Sequence, residues 1–479
     1  MRKTKIVATL GPASDDPAVL EAMIKAGLNV ARFNFSHGDH EGHKVRVDAL
    51  RSVCSKIGAT VALLADTKGP EIRLDVFDGG KAELIAGSAF TLTSDAIIGN
   101  ASQASISYAD LPREVSLGSR ILLDDGLIEL VVESVTGVNI TTRVVIGGTI
   151  SDRKGVNVPC VRLDLPYISA KDRSDLRFFV ENDFDIIAAS FVRSADDIKE
   201  IRDELHRVDS NNKIRIIAKI ENAEGVQNAD SIMSAADGIM VARGDLGVEL
   251  AYEDLPIIQK DLIKKAMRMG KAVITATQML ESMVHNPRPT RAETSDVANA
   301  IYEGTGAIML SGETAMGKHP VEAIATMSKI AERIERDIDY RLLFTQREHY
   351  PETSITNAIS HATVTTAHDL QTAAILTVSM SGDTARNVAK FRPLCPIIAC
   401  TPDPVAQRQL SIVWGVTPLL AKEKTDTSSL FNQAVEMALE GGFVKEGDLV
   451  VLTAGVPVGH SGTTNMLKVH VVGEKILVS

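Results

Sequence analysis

The chain has 479 residues, and its 51 Lys and Arg against 62 Asp and Glu give a formal net charge of −11. Because nucleic-acid binding needs a basic surface, this acidic balance argues against that class of protein. Hydrophobic residues make up 44% of the chain and charged residues 24%, as in globular domains, and no apolar run approaches the roughly 18 residues of a membrane span.

Strands and helices alternate over the first 69 residues. Strands are predicted at 5–10, 30–35 and 61–65, and helices at 19–26 and 43–56. This alternation indicates a parallel sheet. From residue 71 to about residue 166, by contrast, no helix is predicted, and short alternating runs separated by Gly, Asp and Ser indicate a small β-barrel or sandwich.

The alternation of strand and helix returns at residue 169. Five more strands bring the total to eight, at 186–190, 214–220, 238–242, 272–277 and 307–311, and a last helix is predicted at 320–336. Eight β/α units predict a TIM barrel with a small β-barrel inserted after its third strand. We therefore expect a catalytic barrel at 1–69 and 168–342 and an inserted β-barrel lid at 70–167.

The C-terminal part begins after a polar segment, 337–352, which we expect to be irregular. Strands predicted at 373–378, 397–399, 449–452 and 469–472 alternate with helices. Four strands are too few for a second barrel, so an open α/β sheet is expected over 343–479.

Charged and polar residues follow nearly every predicted barrel strand. In a TIM barrel these positions converge on one mouth, where active sites lie. Any single member could be a surface ion pair, but a barrel does not need charges at nearly every strand end for stability. The set comprises Arg32, Asn34, Ser36, His37, Asp66, Thr67, Lys68, Glu71, Arg73, Ser190, Arg193, Lys219, Glu221, Asn222, Arg243, Asp245, Thr277, Gln278, Ser311 and Glu313.

Two carboxylates, Glu221 and Asp245, end adjacent strands, and a divalent cation would relieve their repulsion. Mg²⁺ takes one or two carboxylates and completes its octahedron with substrate oxygens and water. The alternative is that both acids cap helix N-termini. Lys219 could hold a phosphoryl group or donate a proton, and Arg32 and Arg73 suit phosphate oxygens. Without a Cys or Ser–His nucleophile, this set favours phosphoryl transfer.

Uncharged and acidic oxygens gather at two neighbouring strand ends. Asn34 and Ser36 follow one strand, and Asp66 and Thr67 follow the next. Such oxygens suit a large, weakly held cation such as potassium, although a plain hydrogen-bonded turn would use the same residues.

Four cysteines, at 54, 160, 395 and 400, form no C-x-x-C pair. They predict a reduced, cytoplasmic protein. A zinc site at Cys395 and Cys400 is the alternative to two buried thiols.

Long segments of the chain resemble the pyruvate kinase family. They are residues 5–12 (KIVATLGP), 32–38 (RFNFSHG), 66–73 (DTKGPEIR), 154–159 (KGVNVP), 216–226 (IIAKIENAEGV), 237–247 (DGIMVARGDLG), 275–280 (TATQML) and 309–315 (MLSGETA). The resemblance implies a β/α barrel, a β lid and a C-terminal regulatory domain. It also implies transfer of phosphate from phosphoenolpyruvate to ADP, Mg²⁺ (or Mn²⁺) and K⁺ as cofactors, and a homotetramer.

The resemblance also implies roles for individual residues. Lys219 would stabilise the transferring phosphoryl group, and Thr277 would belong to the route that protonates the enolate. Glu221 and Asp245 would bind the divalent metal, and potassium would be bound by Asn34, Ser36, Asp66 and Thr67. The substrate would be contacted by Ala242, Arg243, Gly244, Asp245, Thr277 and Ser311. The nucleotide would be contacted by Arg32, Arg73 and Lys154. Glu71 stands at a family position where Glu accompanies potassium dependence, so dependence is expected here.

A C-terminal loop, residues 377–386, runs from a predicted strand into a predicted helix. In the family this loop receives a phosphate of a sugar-phosphate activator, which implies effector contacts from Ser379, Ser381, Gly382 and Thr384, with residues 459–465 nearby. Asp383 is an unfavourable neighbour for a phosphate, and Leu430 stands near where some relatives carry an effector-binding Arg. The effector is therefore expected to be a sugar phosphate or AMP, and an ordinary turn without a ligand is the alternative.

Two other functions would use part of this set. A metal-dependent aldolase acting on pyruvate would need Glu221, Asp245 and an arginine, but neither the oxygen cluster nor Lys154. A metabolite sensor without activity would need only the C-terminal loop, whereas Lys219 and Glu221 are both intact.

Overall fold

The computed structural model of the chain describes residues 1–346, 354–424, 426–456 and 464–476. Its first segment contains two β/α units and a third strand. Asp16 caps the first helix, with Pro17 at its first position, and Gly27 ends it at φ 123°. The elements are β1 (Lys5–Thr9), α1 (Pro17–Ala26), β2 (Val30–Asn34), α2 (His40–Ile57) and β3 (Ala62–Asp66).

The inserted segment is almost entirely β, as predicted, apart from one short α-helix and a 3₁₀ turn at Asp78–Gly80. Its elements are β4 (Ile72–Arg73), β5 (Lys81–Leu84), β6 (Ala89–Thr93), β7 (Gln103–Ser105), α3 (Leu111–Glu114), β8 (Arg120–Leu123), β9 (Ile128–Thr136), β10 (Asn139–Ile146), β11 (Gly148–Ser151) and β12 (Gly155–Asn157). Seven strands pair in the order β4-β12-β8-β9-β10-β6-β7, and β11 pairs with β5. A bridge between Leu74 and Ile106 joins the two outer strands, so the sheet closes into a small barrel.

The third segment supplies the five remaining barrel strands and their helices. These are α4 (Ala170–Glu181), β13 (Ile186–Ala189), α5 (Ala195–Val208), β14 (Arg215–Ile220), α6 (Ala223–Gln227), α7 (Ala229–Ala235), β15 (Gly238–Ala242), α8 (Arg243–Glu249), α9 (Leu255–Arg268), β16 (Ala272–Ala276), α10 (Arg291–Glu303), β17 (Ala307–Leu310), α11 (Gly312–Ala315) and α12 (Pro320–Glu335). All eight strands form one closed parallel barrel in the order β1-β17-β16-β15-β14-β13-β3-β2, which confirms the predicted fold class.

The C-terminal segment differs from the prediction in two places. Its elements are α13 (Tyr340–Gln346), α14 (Ile355–Asp369), β18 (Ala374–Val378), α15 (Asp383–Ala389), β19 (Ile397–Thr401), α16 (Pro404–Gln409), β20 (Val416–Leu420), α17 (Thr427–Glu440), β21 (Leu449–Ala454) and β22 (Met466–Val471). The irregular segment expected at 337–352 contains α13, and its last six residues lie outside the described part.

The C-terminal sheet has five strands in the order β20-β19-β18-β21-β22, and only β22 is antiparallel. The sequence prediction missed β20, because Pro418 lies in the middle of this five-residue strand and argues against a strand there. β20 is an edge strand, which is where a sheet tolerates proline.

Alternation along the strands positions the site. Apolar side chains such as Val30, Leu64 and Ile217 form a core distinct from the one that packs on the helices, and they fill the inside of the barrel. Arg32, Asp66 and Lys219 each follow one of these residues by two positions on the same strand. Because side chains on one face of a strand recur every second residue, these charged groups lie at the top of the inward rows.

Candidate active site

A buried ion network joins the ends of β2, β3 and β14. The Arg32 guanidinium donates from Nε to Asp66 Oδ2 at 2.6 Å, and Lys219 Nζ lies 3.1 Å from Asp66 Oδ1. Asp66 is 1% exposed and the two cations are 8% and 9% exposed. The structure thus brings together three residues that span 187 positions of the sequence. All three were predicted to lie at the same barrel mouth.

Ser190, which follows β13, holds this network in place. Its hydroxyl donates to the Thr67 carbonyl oxygen at 2.6 Å, and Lys219 Nζ donates to Ser190 Oγ at 2.8 Å. The Ser190 backbone N–H donates to Thr67 Oγ1 at 3.1 Å. The hydroxyl therefore helps to fix the ammonium at the centre of the mouth.

The charges in this network control each other's protonation. Burial acts to raise the pKa of Asp66, but the charges of Arg32 and Lys219 outweigh it and the pKa is lowered. Burial acts to lower the pKa of Lys219, but the carboxylates of Asp66, Glu221 and Asp245 outweigh it and the pKa is raised. Lys219 is therefore an ammonium at neutral pH, which favours the role of a fixed cation over that of a proton donor.

Glu221 is fully buried beside this ammonium. Its Oε1 forms a 2.8 Å ion pair with Lys219 Nζ, and Oε2 accepts from the Phe191 backbone N–H at 2.5 Å. Oε1 has no partner with hydrogen-bond geometry among the described residues. Burial raises the pKa of Glu221, Lys219 opposes the rise and Asp245 adds to it. A carboxylate in this position fits a divalent cation shared with Asp245.

The alternative that Glu221 and Asp245 are helix caps does not hold. Asn222 caps α6 by accepting from the Gly225 backbone N–H, and Asp245 lies inside α8, whose N-cap position is Ala242. No group of three His, Cys, Asp or Glu side chains suited to a metal lies in the described ranges. Two carboxylates with substrate oxygens and water are nevertheless a common set for Mg²⁺.

Thr277 follows β16 in a strained conformation. Its φ is 70°, a left-handed value that β-branched residues rarely adopt. Its hydroxyl accepts from the Gly244 backbone N–H at 2.9 Å. Arg243 donates to the Thr277 carbonyl oxygen at 2.6 Å and pairs with Asp296 on α10 at 2.7 Å. The side chain of Arg243 thus holds the strained peptide of Thr277 in place.

Ser311 follows β17, two strands from β15 in the barrel. Its backbone N–H donates to Glu313 Oε2 at 2.7 Å, and the other oxygen of Glu313 accepts from the Leu280 backbone N–H at 3.1 Å. Glu313 is 1% exposed, so this carboxylate ties the ends of β16 and β17 together.

A cleft of about 850 Å³ opens above the mouth, between the barrel and the inserted β-barrel. Arg73 and Lys154 reach it from the insertion, and Asp245 and Asn222 reach it from the barrel. Lys154 Nζ lies 2.8 Å from Asp124 Oδ1, and Arg73 donates to Glu71 at 2.5 Å. Both cations are partly exposed, in contrast to Lys219, so they are accessible to an anionic ligand.

The four oxygen-bearing residues at β2 and β3 also come together. Asn34 and Asp66 are register partners on neighbouring strands. The Ser36 backbone N–H donates to Asn34 Oδ1 at 3.1 Å, which is the hydrogen-bonded turn considered as the alternative. Thr67 is buried next to them. The arrangement is compatible with a potassium site and with a simple turn.

Comparisons with known proteins assign this site to a family. The family model described as the pyruvate kinase barrel domain matches residues 1–324, and the model described as the pyruvate kinase alpha/beta domain matches residues 357–470. The chain belongs to the pyruvate kinase family. It is therefore a phosphotransferase.

Individual relatives are similar over nearly the whole chain. The pyruvate kinase of Geobacillus stearothermophilus is 52% identical over 475 residues, which are 99% of this chain and 81% of that protein. The pyruvate kinase of Clostridium acetobutylicum is 49% identical over 98% of this chain and 100% of that protein. A crystal structure of a pyruvate kinase from Cryptosporidium parvum has a TM-score of 0.93 at 39% identity and covers 98% of this chain and 96% of that one.

Two features of the barrel mouth were not predicted from the sequence. Asp296, which orients Arg243, lies 53 residues away on a helix, and no local pattern connects them. Asp124 and Asp125 form the tight turn between β8 and β9 and enter the cleft. Burial and the charges of Asp245 and Asp124 raise the pKa of Asp125. An Asp–Asp–Gly turn could have been recognised as a turn, but not as part of the site.

The C-terminal loop is held by its own hydrogen bonds. Ser379 Oγ accepts from the Gly382 backbone N–H at 3.1 Å, and Gly382 has a left-handed φ of 77°. Ser381 Oγ donates to Asp383 Oδ2 at 2.7 Å. Thr384 is buried, and its hydroxyl lies 2.8 Å from that of Thr464. Thr464, from the segment 459–465, therefore lies near this loop as expected. Residues 459–463 lie outside the described part.

Asp383 does not face this loop as a free charge. It pairs with Arg386 at 3.0 Å and approaches Arg215, at the start of β14, to 3.4 Å. The negative charge that argued against a phosphate is therefore largely neutralised by two guanidinium groups.

The cysteines are free thiols. Cys400 is buried and Cys395 half-buried, and in the described residues they belong to no group of three metal-ligating side chains, so the zinc alternative has no support. No helix in the described residues combines the length and the apolar character that a membrane span requires.

Proposed function

We propose that this enzyme transfers the phosphoryl group of phosphoenolpyruvate to ADP, giving pyruvate and ATP, as a step of glycolysis. The observation that carries the proposal is the Lys219 ammonium, buried at the barrel mouth and held by Asp66, Ser190 and Glu221. In the reaction an oxygen of the ADP β-phosphate forms the new P–O bond while the bond from phosphorus to the enol oxygen breaks. A fixed cation stabilises the charge on the group in transfer without reorganising.

The cations around the cleft divide the phosphate contacts between them. Arg32, from inside the mouth, and Arg73 and Lys154, from the lid, are proposed to hold the nucleotide phosphates. Arginine forks suit phosphate oxygens. Because Lys154 and Arg73 belong to the inserted barrel, a closing motion of this lid would bring them to the substrate and exclude water.

Glu221 and Asp245 are proposed to hold Mg²⁺ or Mn²⁺, which would neutralise oxygen charges of the substrate. Their support is the full burial of Glu221 and the charge of Asp245, which raises the pKa of Glu221. Asn34, Ser36, Asp66 and Thr67 are proposed to hold K⁺, with Glu71 as the residue that accompanies this dependence.

The enolate left after transfer must take a proton at its methylene carbon. Thr277 is proposed to stand on that route, because Arg243 holds its strained peptide at the end of β16. The backbone of Ala242, Arg243 and Gly244, together with Ser311, is proposed to receive the substrate carboxylate. When the substrate binds, the Gly244 N–H would donate to a carboxylate oxygen instead of to Thr277 Oγ1.

Further proposals concern the rest of the molecule. The catalytic barrel comprises 1–69 and 168–342, the lid 70–167 and the regulatory domain 343–479. The loop with Ser379, Ser381, Gly382 and Thr384 binds a sugar-phosphate or AMP activator, and its support is the neutralisation of Asp383. The enzyme works in the cytoplasm as a homotetramer.

The test is pyruvate formation from phosphoenolpyruvate and ADP with Mg²⁺, with and without K⁺, and with a panel of sugar phosphates and AMP. Activity that needs both cations is expected, with a lower phosphoenolpyruvate requirement in the presence of one effector. Absence of activity in every combination would contradict the proposal, and cleavage of a pyruvate-derived aldol would favour the aldolase.

A further inference from the structure

The chain crosses between the catalytic barrel and the inserted β-barrel twice. The first crossing leaves β3 through residues 67–71, and the second returns through residues 158–167, which we call the return linker. Arg73 and Lys154, the lid cations that reach the cleft, lie between these two crossings. The way in which the return linker is held therefore affects where both cations lie relative to the barrel mouth.

The side chains of the return linker pack on the lid. Val161, Leu163 and Leu165 lie against the apolar core of the inserted barrel. The backbone N–H of Asp164, between the two leucines, donates to Glu114 Oε1 at the end of the lid helix α3 at 3.2 Å. This part of the linker thus belongs structurally to the lid.

Arg193, one of the charged residues predicted at the barrel mouth, binds the same linker from the barrel side. Its Nη1 donates to the Leu163 carbonyl oxygen at 3.0 Å, and its Nη2 donates to the Leu165 carbonyl oxygen at 2.9 Å. The planar fork of a guanidinium can hold two oxygens in a fixed geometry, which a single ammonium cannot. Arg193 therefore fastens the lid to the barrel.

The backbone of Arg193 is itself fixed by two neighbouring elements. Its N–H donates to Asp197 Oδ2 on α5 at 2.8 Å, and its carbonyl oxygen accepts from Nδ2 of Asn228, which precedes α7, at 2.8 Å. Asp197 Oδ1 lies 3.6 Å from the guanidinium, whose side chain is only 20% exposed. The contact with the linker is thus supported by the helices of the barrel.

Ser190, three residues before Arg193 in the same loop, connects this contact to the catalytic network. The Tyr167 hydroxyl, at the end of the return linker, donates to the Ser190 carbonyl oxygen at 2.9 Å. The Ser190 hydroxyl donates to the carbonyl oxygen of Thr67 in the first crossing and accepts from Lys219. Both crossings are therefore anchored on the loop that also holds the catalytic ammonium.

We propose that Arg193 and Tyr167 are positioning residues that set the position of the lid over the barrel mouth. The inference rests on the function proposed above, in which Arg73 and Lys154 bind the nucleotide phosphates. Without the guanidinium fork, the linker keeps its apolar contacts with the lid but loses its attachment to the barrel. The two lid cations are then in the binding geometry for a smaller fraction of the time, which weakens the apparent affinity for the nucleotide.

Steady-state kinetics of Arg193→Met test the proposal. The KM for ADP is expected to rise about tenfold, because ADP depends on the lid cations. The KM for phosphoenolpyruvate and the affinity for oxalate, an enolate mimic, are expected to change less than about threefold, because both ligands bind at the barrel mouth. The control is Arg207→Met, which removes an exposed guanidinium from α5 and should retain the wild-type values.

A double-mutant cycle with Lys154→Met separates positioning from general damage. If Arg193 acts through the lid, the two effects on the KM for ADP overlap, and the double variant exceeds the larger single effect by less than about twofold. Effects that multiply would overturn the proposal. Arg193→Lys keeps the charge but loses the fork, so it is expected to resemble Arg193→Met; a wild-type KM for ADP in Arg193→Lys would also overturn it.

Tyr167→Phe decides the question if Arg193→Met does not fold, which the melting temperature reports. It removes only the hydroxyl bonded to Ser190, and it is expected to raise the KM for ADP about threefold with little change for phosphoenolpyruvate. Absence of ATP formation by the wild type would contradict the proposed function itself. A wild type that forms ATP, with an unchanged KM for ADP in Arg193→Met and Tyr167→Phe, would contradict this inference alone.

Discussion

The two ends of strand β14 carry opposite kinds of charge arrangement. At its C-terminal end, Lys219 is buried among Asp66, Glu221 and Ser190, and every charge has a partner within 3.1 Å. At its N-terminal end, Arg215 is about one-third exposed and pairs with Asp237 at 2.9 Å and with Asp383 of the C-terminal domain at 3.4 Å. The buried network fixes one cation for chemistry, whereas the more exposed one joins the barrel to the C-terminal domain.

The difference also concerns how each end is built. The mouth is formed by residues at the ends of strands within one domain, so the barrel alone determines it. The opposite end is completed by Asp383 and Arg386 from the C-terminal domain. Changes at the mouth should therefore affect turnover, and changes at the other end should affect the packing of the two domains.

Apart from changes at Lys219 itself, the largest effect is expected from Glu221→Gln. Glutamine still accepts from the Phe191 N–H but cannot supply the charge proposed for the divalent ion, so kcat should fall by about a hundredfold to a thousandfold. The measurement is steady-state kinetics at saturating Mg²⁺, with Glu204→Gln on α5 as the control. Activity within about threefold of the wild type would contradict the role of this carboxylate.

Glu71→Lys tests the cation cluster at the same end. A lysine ammonium is expected to replace the bound potassium, so activity of the variant should change less than about twofold with K⁺, against about tenfold or more for the wild type. Part of the activity is lost because the pair with Arg73 is broken. The control is Glu83→Lys, a charge reversal elsewhere in the inserted barrel. Equal potassium dependence in wild type and Glu71→Lys would be the contrary result.

Arg408→Met tests the packing of the two domains. Arg408 on α16 pairs at 2.8 Å with Asp185, which is buried just before β13, and burial raises the pKa of Asp185 to about 6. Loss of the partner is expected to destabilise the protein by about 2–3 kcal/mol at neutral pH, less than for a fully buried pair because Arg408 is partly exposed.

The pH dependence of this effect follows from the raised pKa. Asp185 is protonated more readily folded than unfolded, so its contribution to stability is most favourable below about pH 4 and declines as the pH rises through about 6. Without Arg408 the pKa rises further, so the difference in melting temperature between variant and wild type should grow from pH 5 to pH 8. A constant difference, or one matched by the surface variant Arg207→Met, would refute this account.

Much of the fold was predictable because the eight barrel strands are short apolar runs between good helix signals. β20 was not, since Pro418 lies in the middle of this five-residue edge strand. α13 (Tyr340–Gln346) was not, because its seven residues are too few to show a helical period, and its packing on the C-terminal domain through Phe344 is visible only in the structure.

The mouth could be predicted for a related reason. Lys219, Asp66 and Arg32 follow buried residues of the same face by two positions, so strand geometry alone brings them together. Asp296 and the pairing of Asp383 with Arg215 depend on contacts between distant elements, and no spacing in the sequence reports those.

The central claim is that Lys219 acts on the transferring phosphoryl group, and Lys219→Met tests it most directly. The measurement is the rate of ATP formation together with binding of oxalate, an enolate mimic, in the presence of Mg²⁺, with Lys199→Met on the surface of α5 as the control. ATP formation is expected to fall by about a thousandfold or more while oxalate binding changes less than about threefold. Full activity of Lys219→Met would contradict the claim.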